Sequence, residues 1–119
     1  MELVLEVYKA TGSFPKDQRF GLTQQLQRCA VSVPSNIAEG QGRFSRPDFH
    51  RFLRVARGSL VELETQLMIA HGLSYLSDEG ERFLLTKTAE LGRILNALMA
   101  SLEKPRKKQE VNRVPSTDN

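Results

Sequence analysis

Tryptophan is absent from this 119-residue chain, cysteine occurs once and histidine twice. Each scarcity removes a class of chemistry. A single thiol, Cys29, can form no internal disulfide, so a reducing cytoplasm is the expected setting. His50 and His71 stand 21 residues apart on one predicted helix, about 30 Å, too far to share a metal ion. Cys29 falls on an apolar helical stripe and reads as a core thiol rather than a nucleophile. No apolar run approaches the ~18 residues of a membrane span, and no signal-peptide pattern opens the chain, so no membrane partner is expected. Glu62 and Glu64, two apart on a helix, point to nearly opposite sides and make no acid–base pair. The Gly40–Gly42 segment lacks both a preceding strand and the lysine of a phosphate loop. No catalytic residue, metal-ligand set or cofactor is expected, and the chain does not read as an enzyme.

Charge is present but unevenly placed. The formal net charge is +3, and residues 104–119 account for all of it, with five basic residues against two acidic. The preceding 103 residues are neutral overall but polarised. Residues 43–57 carry five arginines against Asp48, whereas residues 58–81 carry five acidic residues and no Lys or Arg. One basic and one acidic end suit head-to-tail self-association as well as they suit nucleic acid.

Apolar spacing predicts helices over about 2–11, 17–39, 46–75 and 78–104, in one bundle domain spanning 1–104. In the first, Leu3, Val4, Val7 and Tyr8 form a helical stripe, although Leu3, Leu5 and Val7 alternate as a strand would. In the second, Leu22, Leu26, Cys29 or Ala30, Val33 and Ile37 recur on one face, with a kink expected at Pro34. Ser45 followed by Pro47 and Asp48 is a capping signature for the third, whose core stripe runs Phe49, Phe52, Leu53, Ala56, Leu60, Leu63, Leu67 and Ala70. Ser77 or Asp78 caps the fourth, where Leu84, Leu91, Leu95, Leu98 and Leu102 follow a heptad-like pattern. Beyond Lys104 the chain is basic, polar and aperiodic, and 105–119 is expected to be a disordered tail. Four helices with short connections point to an all-α, antiparallel up-down bundle.

Three sets of residues remain. Val55, Val61, Met68, Ile69 and Leu73 lie outside the core stripe of the third helix, which points to a second buried face and hence an oligomer interface. Asn36, Glu39, Ser59, Glu62 and Gln66, with Arg43 and Thr65 beside them, are either a binding site or a polar network that fixes helix register. Arg51, Arg54 and Arg57 fan over about 120° of helix surface, with Arg43 and Arg46 at the same end. That patch, with Lys104, Arg106, Lys107 and Lys108, suits phosphate backbones, or else pairs with acidic residues of a neighbouring subunit.

Several strings are distinctive: Phe14-Pro15-Lys16-Asp17; Arg19-Phe20-Gly21-Leu22-Thr23-Gln24-Gln25; Arg28 through Gly40 and on to Gly42-Arg43; and Phe52-Leu53 with Ala56 through Leu67. Together, over roughly residues 3–102, they resemble the bacterial four-helix-bundle family named after the 23S ribosomal RNA intervening-sequence protein. The resemblance implies an up-down bundle assembled into a homo-oligomeric ring, most often a pentamer, with no known enzyme activity. More distantly, the chain is similar to retroelement accessory variability proteins, basic pentamers that bind nucleic acid and a reverse transcriptase. Family members usually carry further residues ahead of the segment resembling Met1 to Thr11, so the first helix is expected to be shortened. Two functional expectations follow. One is a non-enzymatic oligomer whose arginine patch, repeated around a ring, contacts RNA or DNA. The other is a scaffold for a protein partner, with the arginines in inter-subunit ion pairs.

Overall fold

A computed structural model describes residues 2–105. Among them are four α-helices and no strand: α1 (Glu2–Thr11), α2 (Leu22–Gln41), α3 (Arg46–Gly72) and α4 (Asp78–Glu103), with a short 3₁₀ turn at Lys16–Gln18. Successive long helices run antiparallel. Ser32 meets Ser59 and Gln25 meets Gln66 across α2 and α3, while Arg46 at the start of α3 reaches the end of α4. α1 packs on α2 and α4, so α1 and α3 lie across the diagonal of the bundle. Gln27 donates to Thr11, and Lys87 reaches Glu2, which ties α1 to both neighbours.

In α1 the helical spacing prevails over the strand-like one: Leu3, Val7 and Thr11 are buried while Leu5 and Tyr8 are exposed. The ten residues of α1 span about 15 Å against about 40 Å for α3. α1 therefore covers only part of the groove between α2 and α4.

The second helix starts at Leu22, not at 17. The chain turns through Lys16–Gln18 and leaves helical geometry at Gly21, where Gln18 Oε1 accepts from Leu22 N in place of a capping side chain. α2 continues through Pro34 to Gln41 as one helix. Leu26, Cys29, Ala30 and Val33 are buried along it. Gly40 is buried too, because Phe49 and Phe52 of α3 lie directly on it. A Cβ at Gly40 would stand 2.9 Å from both the Phe49 ring (Cδ1) and the Phe52 β-carbon.

Ser45 caps α3 by accepting from Asp48 N, and Leu53, Ala56, Leu60, Leu63, Leu67 and Ala70 supply the core stripe. Phe49 and Phe52 are half-buried at its edge. α3 ends at Gly72 rather than Tyr75 because the chain closes in a Schellman turn. Tyr75 N donates to Ala70 O, Ser74 N donates to His71 O, and Ser74 takes φ 66°. Phe14 then packs on Tyr75 with ring centroids 5.6 Å apart, fixing the α1–α2 connection to this turn.

Ser77, not Asp78, caps α4, accepting from Gly80 N. The buried stripe of α4 is Leu84, Thr88, Leu95 and Met99, with Leu91 and Leu102 half-buried. Leu98 is exposed and falls outside the stripe, since a straight helix repeats every 3.6 residues rather than 3.5. Thr88 enters the core with its hydroxyl satisfied, within reach of Glu64 Oε2 at 2.7 Å and Leu85 O at 2.9 Å.

Two substitutions test this packing. Ser74→Gly should raise stability by about 1 kcal/mol, because the left-handed conformation costs a β-carbon-bearing residue about that much. Gly40→Ala should lower it. The gain in helix propensity is at most about 1 kcal/mol, while forcing a methyl against the Phe49 ring and the Phe52 β-carbon costs about 1–3 kcal/mol. Urea unfolding of the two variants, read against the parent, gives both signs.

Candidate functional site

The junction of the α2–α3 loop with the end of α4 collects the basic residues. Arg46 is committed to structure: one guanidinium nitrogen donates to the carbonyls of Ser101, Leu102 and Lys104 at 3.1, 2.8 and 2.9 Å. These carbonyls are the unpaired acceptors at the end of α4. Arg46 is thus a helix cap supplied from 55 residues away in the chain. The sequence reading, which grouped it with the ligand-contacting arginines, missed that role.

The other arginines keep their charge at the surface. Arg43 pairs with Glu39 at 2.6 Å and lies 4.9 Å over the Phe52 ring. Arg51 lies 4.5 Å over the same ring and 3.9 Å from Asp48. One aromatic ring thus contacts two guanidinium groups. Arg54 Nη1 is 2.8 Å from His50 Nδ1, and His50 Nε2 is 2.6 Å from Glu103 Oε2. A guanidinium only donates, so Nδ1 accepts and the ring proton sits on Nε2, toward Glu103. Arg57 turns to α4 and donates to Asn96 Oδ1 at 3.0 Å. Between the start of α3 and the end of α4 lies a shallow depression of about 750 Å³, lined by Arg51, Arg54, His50 and Lys104 among others. Arg43, Arg51, Arg54 and Lys104 are gathered at one end, and Arg57 sits a turn further along. Arg106, Lys107 and Lys108, and the tail expected to be disordered, lie outside the described residues.

The polar residues of α2 and α3 separate into two groups. Asn36 Nδ2 donates to Ser32 O and Oγ at 2.8 and 3.0 Å, and Ser32 pairs with Ser59 at 2.8 Å. Gln66 donates to Gln25 at 3.3 Å. Glu39 is apart from them, engaged with Arg43 at the basic end, and Thr65 bonds back to Val61 O on its own helix. Glu62 flanks Cys29. Burial pushes the Cys29 thiol pKa up, and the Glu62 carboxylate adds to the effect, so this thiol stays protonated and unreactive. Gln25 and Ser32 were missed in the sequence, although Gln25, Ser32 and Glu39 recur every seven residues on the α2 edge that meets α3.

Val55, Val61, Met68, Ile69 and Leu73 are each about half exposed, 45–55%. They form two rows. Val55 and Ile69, each seven residues from Glu62, share its side of the helix and border α2 together with Leu73, whereas Val61 and Met68 follow the opposite edge. No group of three or more metal-ligating side chains exists among the described residues. No described helix is long and apolar enough to cross a membrane.

The family described as 23S rRNA-intervening sequence protein matches residues 1–97. The fold is similar to the crystal structure of a protein of unknown function from the S23 ribosomal protein family of Bacteroides thetaiotaomicron VPI-5482. That likeness has a TM-score of 0.71 at 23% sequence identity and covers 81% of this chain and 87% of the other. No curated protein matches the chain. Neither match carries a catalytic description.

At the opposite end of the bundle, His71 joins Asp78 through Nε2 and lies 3.5 Å from Glu81 through Nδ1. The hydrogen bond to Asp78, reinforced by the Glu81 charge, raises the His71 pKa above its ordinary 6.5. The same bond lowers Asp78 below its ordinary 3.8. The His71 contribution to stability is fully present below 6.5 and is lost as pH rises through the raised value. The Asp78 contribution is present above 3.8 and is lost as pH falls through the lowered value. Thermal unfolding from pH 5.5 to pH 8.5 should show a declining midpoint, and His71→Asn should flatten that decline.

Proposed function

From the premise that the chain belongs to the 23S rRNA-intervening sequence protein family, we propose that it is a non-enzymatic, cytoplasmic helical-bundle protein. In this reading it self-associates into a ring and contacts nucleic-acid backbones through its arginine-rich end. The observation that carries the reading is the pairing of Arg43 and Arg51 over Phe52, next to Arg54 and the depression at the start of α3. Each guanidinium has only an exposed carboxylate as its partner, Glu39 for Arg43 and Asp48 for Arg51, and a phosphate can replace such a partner with charge-assisted hydrogen bonds. Phe52 is used as the platform for the arginines and is not available to stack on a base. This favours recognition of backbone shape and charge over base sequence.

Self-association is supported by the half-exposed rows on α3, together with exposed Phe83, Ile94 and Leu98 on α4. A ring would repeat the basic end once per subunit and multiply its charge. The same apolar rows favour a second reading, a scaffold for a protein partner in which the arginines pair across subunits.

Fluorescence anisotropy of a structured RNA and a matched DNA duplex, titrated with the full chain between 50 and 200 mM salt, tests the proposal. Replacing Arg43, Arg51 and Arg54 with Gln should weaken binding and flatten the salt slope by about one unit per lost contact. Arg46→Gln should do something different: it should lower stability by about 1–3 kcal/mol through the uncapped carbonyls of α4. Absence of binding at the lower salt overturns the nucleic-acid reading. Dissociation of the oligomer by the triple substitution, seen in light scattering, supports the scaffold instead.

A further inference from the structure

The seam between α2 and α3 opens midway along the bundle into a groove of about 360 Å³. That volume lies at the low end of the roughly 300–1,000 Å³ of small-molecule sites. Its lining is unusual for a helix–helix contact. The floor is Cys29, Ser32, Ser59 and Gln66, and Arg28 and Glu62 stand at the rim.

Two observations set this groove apart from a register-fixing network. The first is Gln66. The residue is 93% buried and its Nε2 donates to Gln25 Oε1 at 3.3 Å. In that orientation Gln66 Oε1 has no hydrogen-bond partner among the described residues. A buried carbonyl oxygen without a donor costs about 1–3 kcal/mol, so it is ordinarily eliminated or supplied with one. The second is charge. Arg28 and Glu62 line the same groove, yet neither forms an ion pair within 4.0 Å among the described residues. The remaining acidic residues facing other helices are engaged: Glu39 with Arg43, Glu64 with Thr88, Glu103 with His50. On the floor, Ser32 and Ser59 share a hydrogen bond, and a hydroxyl pair can both donate and accept.

We propose that this groove binds a small zwitterion of about the size of a free amino acid. Its anionic group meets the Arg28 guanidinium, and its ammonium or amide N–H donors meet Glu62 and the unpartnered Gln66 carbonyl oxygen. The cationic and anionic rims are matched by a ligand that carries both charges, whereas a ligand of one sign leaves the other rim unsatisfied. The Cys29 thiol, kept protonated by its surroundings, contributes a weak donor and packing and takes no covalent part. The site is independent of the arginine-rich end, which lies at the foot of the bundle.

Isothermal titration calorimetry of the full chain with glycine, L-glutamine and L-lysine tests the proposal, with acetate and ethylammonium as single-charge controls. Side-chain amide NMR signals of Gln66 and Gln25 follow the same titrations. The expected result is saturable binding of at least one zwitterion, with a shift of the Gln66 amide signal and no comparable binding of either control. Glu62→Gln and Gln66→Met should each weaken that binding about tenfold or more, the loss that follows removal of a charged or buried hydrogen-bond partner. Gln66→Met fills the same volume and deletes the unpaired oxygen, so the variant stays folded and its melting temperature checks this directly. The proposal is overturned if none of the three zwitterions binds saturably below about 10 mM. It is equally overturned if binding is indifferent to both substitutions. A change of oligomer mass in these variants without any ligand binding would assign the groove to a contact between copies and also overturn it.

Discussion

The close approach of α2 to α3 is the constraint on which the rest of the molecule depends. It is set at the loop end by Gly40, whose missing Cβ lets Phe49 and Phe52 lie on the α2 backbone. It continues through Ala30 and Ala56, both wholly buried, and through the Ser32–Ser59 pair. Small side chains on both helices bring the backbones together, and interior packing is dense enough that an added methyl is felt. With α2 and α3 fixed in register, Phe52 is held at the surface edge, and Arg43 from the α2–α3 loop and Arg51 from α3 converge on it. The basic end is therefore a consequence of how the core closes.

The same pair explains why polar residues sit so deep. A seam built from Gln, Ser and Asn gives up apolar burial but gains directional bonds, and such bonds select one register among the several an apolar stripe would accept. Most of the seam is satisfied by its own members. Gln66 is the exception, with one half of its amide bonded and the other half not.

Charge in this protein is largely organised by short-range partners. Arg46 completes α4, Arg57 reaches Asn96, and His50 stands between Arg54 and Glu103. An isolated surface pair contributes little to stability, so these contacts act mainly to hold side chains in place. The cap formed by Arg46 is the stronger case, since it satisfies backbone carbonyls that the helix itself leaves open.

Helix type, the core stripe of α3 and the Ser45 cap were legible in the sequence because each depends on residues within four positions of one another. The distribution of charge between the two ends was equally plain, as was the family resemblance. The ends of α2 and α3 were not, because Gly21 and the left-handed Ser74 act through backbone geometry that residue identity does not announce. The heptad reading of α4 misplaced Leu98 and overlooked Thr88, a polar residue that meets an acceptor 24 positions away, Glu64, as well as one in its own helix. By itself, then, the sequence determined which segments are helical and which faces are apolar, through local periodicity. Only the tertiary structure decided which polar groups find partners. Arg46 is used up as a cap while Arg43 and Arg51 remain at the surface, and Gln66 is left half-bonded, because those outcomes depend on distances between residues far apart in the chain.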